Sequence, residues 1–97
     1  MLKKDKQKVF GGEWTEESMR GFISDKSFDG TDADYLNIIK AYQHMLADTF
    51  GEFAVFFKEE GRNLDAKNLD GQTALSVISA HAAGKPYAEA LKAAGAQ

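Results

Sequence analysis

The sequence predicts an all-α protein of about five helices, and three observations carry that expectation. Apolar residues recur at helical spacing in several windows. Each window is bracketed by a capping residue and a glycine or polar stop. Strand alternation is nearly absent: Val9-Phe10 is too short for a strand, and Asn63 to Leu69 alternates only weakly.

The first helix starts at Thr15, a natural N-cap, with Glu16 and Glu17 at the positive end of the helix dipole. Trp14 and Met19 stand at the positions of a hydrophobic staple. Met19, Phe22 and Ile23 give one apolar face, and the helix ends near Ser24 or Asp25. The second start is Phe28-Asp29-Gly30-Thr31, with Thr31 as cap and Asp32 and Asp34 in the first turn. Tyr35, Ile39, Tyr42 and Leu46 then recur at helical spacing, flanked by Leu36, Ile38 and Met45.

A third helix runs from about Thr49 to Glu60, where Gly61 supplies a left-handed stop. Phe50, Phe53 and Phe57 line one face and Phe56 widens it, so this stripe is read as core. Glu59 and Glu60 read as a solvated helix end. Thr73 caps a fourth helix through about His81. Pro86 sits in the first turn of a fifth helix, which closes at Gly95.

The chain has 97 residues, enough for one domain with a modest core. Its apolar fraction of 43% and charged fraction of 28% exclude global disorder. The net charge of −3 is too mild to imply a nucleic-acid or membrane partner for the whole chain. Residues 1–8, however, hold Lys3, Lys4, Lys6 and Lys8 against Asp5, so the remainder carries −6. Residues 1–12 read as a flexible lysine-rich tail and 13–97 as a single helical domain. There is no cysteine, which removes disulfides, thiolate metal sites and cysteine nucleophiles. No apolar stretch reaches the ~18 residues of a membrane span, and no signal-peptide core follows the basic start. A cytoplasmic monomer is expected.

Two echoes mark an internal repeat. Phe57-Lys58-Glu59-Glu60-Gly61 aligns with Leu91-Lys92-Ala93-Ala94-Gly95, and Asp29-Gly30-Thr31 aligns with Asp70-Gly71-Gln72-Thr73. Two helix pairs, each opened by an Asp-Gly turn and closed by a glycine, account for both.

The segment from Phe53 to Gly95 resembles an ankyrin repeat. Gly61-Arg62-Asn63-Leu64-Asp65-Ala66-Lys67-Asn68 resembles the loop after an outer helix. Asp70-Gly71-Gln72-Thr73-Ala74-Leu75 resembles the turn into the next inner helix, within an ankyrin-like unit at 49–97. Ala74 stands where the family usually has proline, Ser76 where it has histidine, and Ile78 where it has a small residue. The resemblance implies stacked helical hairpins with the first helix as an N-terminal cap. It implies that Leu75, Ile78, Tyr87 and Leu91 pack on the Phe-rich helix. The whole chain is also similar to a family of short bacterial proteins of about this length, with no assigned activity.

No active site is legible, and no cofactor is expected. His44 and His81, the only histidines, lack the two or three converging ligands of a metal site. Ser76 and Ser79 lie at i, i+3, while His81 points away from Ser79 and no G-x-S-x-G elbow exists. The cluster Asp25, Asp29, Asp32 and Asp34 fails the calcium-loop pattern, because Ala33 and Asp34 fall where an oxygen ligand and a glycine are needed. Helix capping explains these aspartates more simply. Phosphate-loop motifs are absent, and Gly11-Gly12 reads as a hinge.

The expected function is therefore a non-enzymatic protein–protein interaction module with an unknown protein partner. By the resemblance, its surface comprises Lys67, Asn68, Leu69, Asp70, Gln72, Ser76 and Ser79. Leu69 is the informative member, an apolar side chain at a polar turn tip. The alternative is weak nucleic-acid association through the lysine tail.

Overall fold

The computed structural model describes residues 9–10, 14–27 and 29–97. Five helices dominate: α1 (Glu16–Phe22), α2 (Ala33–His44), α3 (Ala47–Glu59), α4 (Ala74–Ser79) and α5 (Lys85–Ala94). The lysine run at residues 1–8 and the Gly11-Gly12 hinge lie outside the described residues.

Val9 and Phe10 belong to no tail. As β1 (Val9–Phe10) they pair antiparallel with β2 (Trp14–Thr15), just ahead of α1, and β1 lies against α3. The two-residue strands are too short to leave an alternation in the sequence.

Caps and stops set most of the helix ends. Thr15 Oγ1 accepts from Ser18 N–H and Thr73 Oγ1 accepts from Ser76 N–H, both at 3.1 Å. Beyond α3, Gly61 adopts φ +82°, while Arg62 N–H donates to Phe57 O and Gly61 N–H to Lys58 O. Gly95 repeats the arrangement at φ +111°, with Ala96 N–H on Leu91 O and Gly95 N–H on Lys92 O. The sequence echo is thus one Schellman turn used twice, each satisfying the last carbonyls of a helix.

Several expectations about helix ends and faces are corrected. The α2 cap is Asp32, whose Oδ1 accepts from Asp34 N–H. Thr31 is buried, with its N–H bound to Asp29 Oδ1. The buried face of α2 is Tyr35, Ile38, Ala41 and Met45, and the helix ends at His44. Leu46 therefore caps α3 instead of continuing α2, and it is 79% exposed. The fourth helix stops at Ser79, and the chain reaches α5 through a 3-10 turn at Ala82–Gly84. The first helix ends at Phe22, slightly earlier than expected.

One continuous core joins the two helix pairs α2–α3 and α4–α5. Phe50, Phe53, Phe57, Ile78 and Leu91 are almost wholly buried, and α3 packs more extensively on α5 than any other pair of elements. Tyr87 reaches across: its ring meets Phe50 at 5.2 Å and its hydroxyl donates to Met45 O at 2.6 Å. Helix α1 adds Met19 to the core and sets Phe22 edge-on to Phe53 at 5.7 Å.

Polar clamps hold the α1 segment in place. Asn37, 2% exposed, accepts from Ser24 N–H and donates to Ser24 O, satisfying a stretch of backbone that has no helix to serve it. Lys40 Nζ donates to Phe22 O at 2.7 Å. Glu60, expected to be simply solvated, forms a two-pronged pair with Arg20, 3.2 Å on each side. Arg62 bridges Asp25 at 2.6 Å and Asp34 at 3.0 Å.

These pairs give stability a pH dependence. Hydrogen bonds and charge from Arg62 hold the Asp25 carboxyl below its ordinary value, and Arg20 does the same for Glu60. A carboxyl depressed in the folded state contributes stability above its unfolded pKa and loses it as pH falls through the folded one. The urea midpoint should therefore stay flat from neutrality to about pH 5 and fall below that. In Arg62→Gln the Asp25 part of the fall should vanish, giving a shallower acid slope. An unchanged slope in the variant rules out a contribution from this pair.

Candidate interaction surface

The segment Lys67–Thr73 folds as a small closed turn. Lys67 and Thr73 form an isolated antiparallel bridge, and Asn68 N–H donates to Gln72 O at 2.8 Å. Gly71, at φ +80°, takes the left-handed conformation that the turn requires. Asn68 organises the rest. Its Oδ1 accepts from both Asp70 N–H and Gln72 N–H at 2.9 Å, and its Nδ2 donates to the Tyr35 hydroxyl at 3.3 Å. The turn is thereby tied to the first turn of α2.

Leu69 rides on this frame and is 67% exposed. Lys67, Asp70 and Gln72 surround it in sequence and are exposed as well, whereas Asn68 is half-buried by its structural bonds. The Thr73 cap carries the surface into α4, where Ser76 and Ser79 are exposed. The structure thus gathers Lys67, Asn68, Leu69, Asp70 and Gln72 into one turn. Ser76 follows on the first turn of α4, and Ser79 stands at its far end.

Ser79 also borders a concavity of about 350 Å³ between the end of α4 and α5. Ala82 and Ala88 contribute its apolar lining, while His81, Lys85 and Lys92 supply polar groups. Sequence reasoning missed this feature, since it exists only once α5 folds back beside α4. It also missed two exposed apolar side chains, Leu46 and Val55. The Val55 signal was present: Glu52 and Glu59 flank it at helical spacing, on the side of α3 away from the phenylalanines.

Both histidines are engaged in aromatic contacts. His44 meets Phe22 edge-on at 6.4 Å. His81 stacks on Tyr42 at 5.9 Å and shares a 3.1 Å hydrogen bond between its Nδ1 and the Tyr42 hydroxyl. Among the described residues no three His, Asp or Glu side chains converge as metal ligands, and no helix is long and apolar enough to cross a membrane. Asp25 and Asp34 are instead drawn to Arg62, and Asp29 and Asp32 accept backbone N–H groups. No family model, no curated protein and no solved structure matches the chain.

Proposed function

We propose that the protein is a non-enzymatic protein–protein interaction module that meets its partner through the Lys67–Thr73 turn and the adjoining face of α4. The observation that supports this reading is Leu69, an apolar side chain held out to solvent on a turn whose backbone is fixed by Asn68. Such a turn has little conformational entropy left to lose on binding, and preorganisation of this kind favours affinity. The surroundings suit an interface, with one apolar centre and a polar rim of Lys67, Asp70, Gln72 and Ser76. The ankyrin resemblance points to the same surface. The lysines of the tail all lie in residues 1–8, outside the described residues, so the nucleic-acid alternative draws no support from those that are described.

Leu69→Lys tests the reading. Its urea midpoint should match the wild type within the equivalent of about 0.5 kcal/mol, because an exposed turn tip tolerates polar residues. In a quantitative pulldown the variant should lose the proteins that the wild type enriches, because the new ammonium must be desolvated at the centre of the interface. Unfolding of the variant shows Leu69 to be structural. Equal recovery by a folded variant moves the surface elsewhere.

A further inference from the structure

Two exposed helix faces of this chain carry the same spacing with opposite charge. On α5, Lys85, Ala88 and Lys92 lie at i, i+3 and i+7, and they line the concavity between α4 and α5. Seven residues advance a helix by about 10.5 Å and almost two whole turns, so the two lysines stand in line on one face. Both are exposed, neither makes an ion pair among the described residues, and Ala88 between them is buried as the floor. On α3, Glu52, Val55 and Glu59 occupy i, i+3 and i+7 of the outward face. The carboxylates are exposed and likewise make no ion pair among the described residues, and Val55 between them is 41% exposed. Lys58, which could neutralise this strip, places its amine beside Gly95 at the end of α5.

We propose that the chain binds a second copy of itself, the Glu52–Val55–Glu59 strip of one copy docking in the Lys85–Lys92 concavity of the next. Each carboxylate meets an ammonium, and the valine covers Ala82 and Ala88. The two faces cannot meet within one molecule, because α3 and α5 already pack side by side through their buried faces. The contact is therefore head-to-tail and leaves each copy one free face, which gives rings or open chains as concentration rises. Glu89 lies between the lysines and opposes the incoming strip. That repulsion, with ion pairs that stay largely solvated, keeps the association weak and salt-sensitive. Leu69 plays no part in this contact, so the proposal stands or falls apart from the turn-tip interface.

Sedimentation equilibrium of the full chain tests it. From about 10 µM to about 1 mM at low salt the average mass should climb above that of a monomer, and the association constant should fall on the order of tenfold in about 0.5 M salt. Lys85→Glu/Lys92→Glu should be monomeric, as should Glu52→Lys/Glu59→Lys, each with wild-type melting because all four side chains are exposed. An equal mixture of the two variants should associate again, because each then offers the face that complements the other. Glu89→Gln should tighten the wild-type association, and Leu69→Lys should leave it unchanged. A wild type that stays monomeric at about 1 mM in low salt overturns the proposal. So does association that survives either charge reversal, or a mixture that remains monomeric.

Discussion

Phe53→Ala should lower stability by about 3–5 kcal/mol, a large effect for a single truncation. The side chain is 1% exposed and stands where α1 meets α3. Phe22 of α1 touches it edge-on at 5.7 Å, and Phe57 lies one turn along α3 with ring centroids 5.4 Å apart. Truncation removes the transfer free energy of the ring and leaves a cavity between α1 and α3. Neither helix can close that cavity easily, because Arg20–Glu60 and Asn37–Ser24 fix the α1 segment at its present distance. A domain of this size has about 5–10 kcal/mol in total, so the variant should be partly unfolded at modest urea. Glu59→Ala, on the exposed side of the same helix, should change stability by less than about 0.5 kcal/mol. Similar urea midpoints for the two variants contradict the placement of Phe53 in the core.

Gly84→Ala should cost about 2–3 kcal/mol for a different reason. Gly84 closes the 3-10 turn with φ −85°, a conformation open to any residue, so backbone strain is not the issue. The cost is steric. A Cβ there would collide with the backbone carbonyl of Ile78, press on Ile78 Cγ2 and stand 3.1 Å from the Tyr42 hydroxyl. The carbonyl cannot rotate away, since it accepts from His81 N–H at the end of α4. The turn must therefore lift, which loosens the stacking of Tyr42 on His81 and the edge contact of Tyr42 with Tyr87 at 4.9 Å. At this chain length such a loss lowers the melting temperature by roughly 8–20 °C. Melting within a couple of degrees of wild type indicates a turn that is not packed so closely. Gly71→Ala offers a contrast: its Cβ meets nothing, and only the positive φ carries a cost, of about 1 kcal/mol.

The candidate surface was legible to different depths. Leu69 between Asn68 and Asp70 announces an exposed apolar residue, because burying it would drag polar neighbours into the core. What fixes its turn was less visible. The bond from Asn68 to Tyr35 spans 33 residues and depends on α2 packing beside the loop. The α3 strip of Glu52, Val55 and Glu59 was written in the helical spacing, yet its complement on α5 borders a concavity that only the folded chain creates.

Taken alone, the sequence determined the helices and about half of their ends. Thr15, Thr73, Gly61 and Gly95 each act on backbone groups within a few residues, so their signals survive without tertiary context. The phenylalanines of α3 were equally plain, since Asp48, Glu52 and Glu59 leave the opposite side of that helix to bury. The face of α2 was undetermined. Tyr35, Leu36, Ile38, Ile39, Tyr42, Met45 and Leu46 spread over about half of its circumference, wider than the stripe that one neighbour can cover, and periodicity cannot choose among them. Packing chose Ile38, Ala41 and Met45, ended the helix at His44 and turned Leu46 out to solvent. The pairing of Arg62 with Asp25 and Asp34, and of Arg20 with Glu60, was likewise decided by the tertiary fold. A charge on a surface helix can satisfy itself with water, so the sequence offers no preference until the fold brings two opposite charges within reach.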